Sequence, residues 1–172
     1  MASDIPGVTA LDYLTLNQPV DGDNALRIVA PTVLELTRLN VKSPNSASMP
    51  AWNFVNATST ALPGTGEFAV TVNGQPVTVT AVGFKRRPLY APLALRDLRV
   101  ESTIFLKIAA PVGSDQSVVV KNPGGALWPA SMTFAVSANP LRYGPSIHVN
   151  QEGYLPAKTK KGFVGYYLGS LG

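Results

Sequence analysis

Proline and glycine set the first limit on what this chain can become. Each occurs fifteen times in 172 residues, and they are spread from end to end. A proline inside a helix removes a backbone donor and clashes with the preceding turn, at a cost of about 3 kcal/mol. Few windows long enough for a three-turn helix escape both residues. The stretch Ala91 to Val100 has room for a short helical turn at best. What remains is a series of short, β-branched runs separated by turn residues, which is the pattern of antiparallel β-structure.

The runs can be placed one by one. Ala25 to Val41 is long and interrupted by Pro31, so it reads as two consecutive strands or one kinked strand. Glu67 to Phe84 is the clearest hairpin. Phe68, Val70 and Val72 alternate with Ala69 and Thr71, Asn73-Gly74 tolerates the positive φ angles of a two-residue loop, and Val77, Val79 and Ala81 return. A two-residue loop would set Val70 opposite Val77 and Phe68 opposite Val79. Thr103 to Ala109 puts Ile104, Leu106 and Ile108 on one face. Ser117 to Lys121 is Val-rich, Asn122-Pro123-Gly124-Gly125 is a turn, and Ser131 to Ser137 is a last strand. The expected fold is all-β, an immunoglobulin-like antiparallel β-sandwich over residues 25–140 with a C-terminal extension. Residues 1–24 form a leader of uncertain order, and the two prolines and the glycine between Asn139 and Pro145 mark a boundary.

Composition narrows the class. Apolar residues make up 45% and charged residues 14%, too apolar for a disordered chain. No run of about 18 apolar residues is present to span a bilayer, so no membrane partner is expected. The net charge of +4 is gathered in two short, separate clusters, Lys85-Arg86-Arg87 and Lys158, Lys160, Lys161. Nucleic-acid binders carry longer basic stripes, and nucleic acid is not expected as a partner. The chain lacks cysteine, which removes disulfides and thiol chemistry.

Little here can do chemistry. Glycoside hydrolysis, for example, needs two carboxylates at a defined separation, and the ten acids are scattered singly apart from Asp21-Gly22-Asp23-Asn24. That fragment resembles part of a calcium loop but lacks the terminal Glu. A turn before the first strand is the simpler reading, with calcium as the one cofactor left open and none otherwise expected. The single histidine, His148, has no Gly-x-Ser-x-Gly nucleophile elbow to serve and is read as a strand residue. The chain is therefore expected to be non-catalytic.

The stretch from Ile147 onward carries a motif: Ile147, Val149, Asn150-Gln151, Gly153-Tyr154, Pro156, then Lys161 before the apolar run Phe163, Val164, Tyr166, Tyr167. This resembles the opening of the N-terminal Ig-like domain that precedes family 9 glycoside hydrolases of the cellulase type. The resemblance implies that residues 141–172 are a linker and the truncated start of a second Ig-like domain. It also implies that the preceding module belongs to a secreted enzyme acting on plant polysaccharide. The family's catalytic motifs are absent from this sequence, so no catalytic residue carries over. The opening Met1-Ala2-Ser3-Asp4 has neither a charged nor an apolar targeting region, as in a cytosolic protein or in an exported one whose signal peptide has been removed, and the resemblance favours the second. Deprived of a partner sheet, the apolar hairpin after Ile147 should be frayed, docked onto residues 25–138, or paired with a second copy of the chain.

Two roles follow for the module. As a carbohydrate-binding module it would hold cellulose or another β-glucan on exposed aromatic rings, because the apolar faces of pyranoses stack on them. Trp52, Tyr90 and Trp128 are the candidate platforms, Tyr143 is a weaker one, and Arg86 is the candidate for reading hydroxyls or carboxylates. Against this, a Trp in a small β-domain is commonly a core or loop anchor, and the 8% aromatic content is low for an extended platform. As a structural Ig-like spacer the module would bind no ligand and would stabilise the catalytic region of its own parent chain. A surface or adhesion domain is the remaining class. Exposed rings favour the first role and buried ones the second.

Overall fold

A computed structural model describes residues 19–55, 58–89, 98–141, 144–149, 153 and 155–172. Among these residues ten strands run in the order β1 (Asn24–Ala30), β2 (Val33–Lys42), β3 (Ala69–Val72), β4 (Gln75–Val77), β5 (Val79–Pro88), β6 (Leu98–Ile108), β7 (Ser117–Lys121), β8 (Phe134–Ser137), β9 (Ile147–Val149) and β10 (Gly162–Val164). All pairings are antiparallel. One four-stranded sheet has the order β1-β2-β6-β5, a second has β4-β3-β7-β8, and β9 pairs with β10.

These orders are those of an immunoglobulin sandwich. Lettered in chain order, with β4 as an added edge strand, the first sheet reads A-B-E-D and the second C-F-G plus that edge strand. The expected all-β sandwich with a C-terminal extension is the fold observed. Pro31 and Thr32 form the connection between β1 and β2, so the long run is two strands. Asn73 and Gly74, with φ of 47° and 78°, close the β3–β4 hairpin as a two-residue loop and set Val70 opposite Val77. The Asn73 side chain accepts a hydrogen bond from the Ser117 amide at 2.8 Å, tying this loop to the start of β7.

Three expectations need correction. The return strand of that hairpin does not run on to Ala81. It stops at Val77, and the chain crosses at Thr78 into the other sheet, where Val79 pairs with Ile108 instead of Phe68. Pro76 lacks an amide donor, which suits β4 to a sheet edge. The alternation of Val77 and Val79 conceals the crossing because both sheets face the same core. The last sandwich strand starts at Phe134, three residues later than expected. Leu98 to Val100 belong to β6, while the rest of the short helical turn considered at Ala91 to Val100 lies outside the described residues.

The core lies between the sheets. Leu26 and Ile28 of β1, Leu34 and Leu36 of β2, Phe84 of β5 and Ile104, Leu106 and Ile108 of β6 meet Val70, Val72, Val118, Val120 and Phe134 of the second sheet. Each such burial is worth about 1.5–3 kcal/mol. The other face of the first sheet is unusual for a sandwich. Glu35, Thr37, Thr103 and Phe105, which alternate with the core residues of β2 and β6, are also buried.

Candidate functional site

The two tryptophan candidates sit in the core. Trp52 is 5% exposed and Trp128 2%. Their ring centroids lie 6.1 Å apart, and Trp128 packs edge-on against Phe134 at 5.0 Å. The polar handle of each ring is spent internally: Trp52 Nε1 donates to the Leu127 carbonyl at 2.9 Å and Trp128 Nε1 to the Met132 carbonyl at 3.2 Å. Asn122, fully buried, holds the loop that delivers Trp128 by donating to the Glu67 carbonyl and accepting from the Leu127 amide. A groove between residues 50–54 and 125–129 reaches both tryptophans, but a pyranose needs an open ring face and neither ring offers one. The expectation that Trp52 and Trp128 are sugar platforms is corrected on that ground. Tyr90 and Tyr143 lie outside the described residues.

Arg86 is the candidate that lines a cleft. The cleft encloses about 480 Å³ where β2, β5 and β6 end, between Lys42, Asn53, Arg86 and Arg87, with Met49 and Val100 among its apolar walls. Arg86 donates from Nη2 to the Trp52 carbonyl at 2.5 Å and from Nε to Ser102 Oγ at 3.3 Å, and its guanidinium lies 5.2 Å from the Phe84 ring centroid. Partial burial lowers its pKa below the ordinary arginine value. Arg87 is engaged in a two-point pair with Glu101, at 2.8 and 3.1 Å, and that hydrogen bond raises its pKa.

The second constellation covers the outer face of the first sheet. The carboxyl-terminal segment folds back over β5 and β2. Tyr166 Oη donates to Glu35 Oε1 at 2.6 Å. Lys85 Nζ donates to Tyr166 Oη at 3.4 Å and lies 4.7 Å from the Tyr166 ring centroid and 5.2 Å from that of Phe105. The Tyr166 and Phe105 rings meet edge-on at 6.3 Å. Glu35 is 1% exposed. Arg27 and Lys85 stand 3.7 and 3.9 Å from its oxygens, within ion-pair reach but beyond hydrogen-bond length. Its Oε2 has no hydrogen-bond partner among the described residues. Burial first, and then the bond to Glu35, push the Tyr166 phenol well above its ordinary pKa.

Two glycines make the seat. A side chain at Gly83 would place its Cβ 2.5 Å from Leu171 Cβ, and one at Gly169 would collide with the Phe84 carbonyl. Gly169 has φ of 64° and opens a single 3-10 turn, Gly169–Leu171. Within that turn Ser170 Oγ accepts the Phe84 amide at 3.0 Å, an amide on the outer edge of β5. Of the three fates expected for the apolar tail, docking is seen at Tyr166 to Leu171. The preceding hairpin remains open, with Phe163 70% and Val164 84% exposed.

The other singled-out residues are structural. His148 Nε2 lies 2.9 Å from the Gly165 carbonyl. Asp21 accepts the Val41 amide at 2.8 Å, and no group of three or more candidate metal ligands occurs among the described residues. Comparison with known protein families, curated proteins and solved structures finds no match to this chain.

Sequence reading missed Glu35, Gly83 and the pairing of Tyr166 with Lys85. Two signals were present. Glu35 is an acid flanked by Leu34 and Leu36 in a strand, and an isolated glycine in a strand interior often marks close backbone approach.

Proposed function

We propose that this chain is a non-catalytic Ig-like domain with a mechanical role: it seats the chain that follows the sandwich on the outer face of its own first sheet. The observation that carries the reading is the contact of Tyr166 with the buried Glu35, with Lys85 beside the Tyr166 and Phe105 rings. A carboxylate is costly to bury, and here it is covered by a segment from the far end of the chain and approached by two cations. With the resemblance of the Ile147–Tyr167 stretch to the family 9 Ig-like opening, the protein so organised would be a secreted polysaccharide-degrading enzyme, and this chain its spacer. The carbohydrate-binding reading draws no support from Trp52 and Trp128, because both rings are enclosed.

The test compares the full chain with one ending at Val164. Loss of the docked segment should lower the melting temperature and speed hydrogen exchange at the Phe84 amide. Equal melting temperatures and equal Phe84 exchange would show that the seat holds nothing.

A further inference from the structure

The cleft around Arg86 is separate from the docked face and has its own chemistry. Among the described residues its charged lining is Lys42, Arg86 and Arg87, with no acid beside them. Glu101 satisfies Arg87. Arg86 and Lys42 have no acidic partner among the described residues. Arg86 is held in place by two neutral acceptors, the Trp52 carbonyl and Ser102 Oγ, so its orientation is fixed before any ligand arrives. Nη1 makes no hydrogen bond among the described residues. A partly desolvated guanidinium without a counter-ion gains from an incoming anion more than a solvated one does, and an ordered one loses less entropy on binding.

The rest of the cleft specifies the body of that anion. Met49 and Val100 are buried apolar walls, and the Asn53 amide stands at the rim. An apolar cleft of this size with a few fixed polar groups suits a small organic molecule better than a bare inorganic ion. We propose that the cleft binds a carboxylate-bearing ligand with an apolar-faced body, anchored on Arg86 and assisted by Lys42. A uronic-acid unit of a polysaccharide and a short carboxylic acid share this chemistry. The proposal stands apart from the seating role, which rests on Tyr166 and Glu35 at another face.

The experiment is an NMR titration of the full chain with digalacturonate, hexanoate, cellobiose and inorganic phosphate, following the Arg86 Nε and Asn53 side-chain signals. One or both carboxylates should shift these signals, and the tighter of them names the source. Arg86→Gln should weaken that binding roughly tenfold or more, since it removes the charged half of the pair. Lys42→Gln, whose side chain has no bond to lose among the described residues, should weaken binding about threefold at unchanged melting temperature, and 0.5 M salt should act in the same direction. Silence from both carboxylates, or cellobiose or phosphate binding as well as they do, would overturn the proposal. If Arg86→Gln does not fold, the Lys42→Gln and salt measurements decide: affinity insensitive to both also overturns it.

Discussion

Tyr166 Oη reaches Glu35 Oε1 across 2.6 Å on the side of a sheet that faces away from the sandwich core. The contact gives a buried acid a half-buried partner. Without it Glu35 would lie at the surface, as an acid on the outer face of a sandwich sheet ordinarily does.

Removing the hydroxyl should be costly while keeping the ring. Tyr166→Phe leaves Glu35 Oε1 without its donor and should reduce stability by about 1–3 kcal/mol, the usual penalty for orphaning one partner of a buried hydrogen bond. Urea unfolding measures it. A change below about 0.5 kcal/mol, the level of an ordinary surface substitution, would mean that water replaces the phenol.

The same phenol makes stability fall in alkali. Its folded pKa is raised from the ordinary 10.0, so its contribution is complete below pH 10. Above that value the unfolded chain releases the proton while the folded chain keeps it, and folding weakens as pH rises toward the folded value. The slope of stability between pH 9.5 and 11 should be shallower in Tyr166→Phe. Absorbance at 295 nm should show one tyrosine ionising late in the native protein.

The enclosed tryptophans predict an optical signature. Emission should be blue-shifted and poorly quenched by acrylamide, and cellulose fragments should leave it unchanged. Trp128→Ala opens a cavity against Phe68, Phe134 and Trp52 and should cost about 3–5 kcal/mol. Emission typical of water-exposed indole would contradict the packing.

Gly83→Ala should unseat the tail and spare the sandwich. The new methyl meets the Leu171 backbone and Cβ at 2.5–2.9 Å, so the segment from Tyr166 to Leu171 must lift. Phe84 amide exchange should quicken while core amides such as that of Leu106 stay protected. Gly64→Ala, with open space around its Cβ, is the matched control. Unchanged Phe84 exchange in Gly83→Ala would refute the close approach.

Much of the sandwich was legible because period-two alternation and turn chemistry are local. Pro31, Asn73-Gly74 and the Ile104, Leu106, Ile108 row each did what their neighbours in sequence imply. The crossing at Thr78 was not legible, because a strand that changes sheet keeps its inward parity. The candidate site was harder. Trp52 and Trp128 were named, but sequence does not tell a buried ring from an exposed one, and their enclosure depends on loops brought together by Asn122. The Tyr166–Glu35 pair joins opposite ends of the chain, and no local pattern encodes such a contact. Arg86 was found because it belongs to a basic triplet. Its position between Lys42 and Asn53 comes from three strand ends converging.

The pairing of β2 with β6 has a kinetic consequence. Leu36 sits opposite Ile104, so the middle of the first sheet forms only after a long loop has closed. Such non-local pairings make folding slow. If the tail docks after that step, its contacts are absent from the rate-limiting barrier, and losing them would leave the refolding rate nearly unchanged while accelerating unfolding. Measured by stopped flow, the chain ending at Val164 should refold as fast as the full chain and come apart sooner. On this view the docked segment acts as a latch on a finished structure: it sets how long the native state lasts and has little influence on how quickly it is reached.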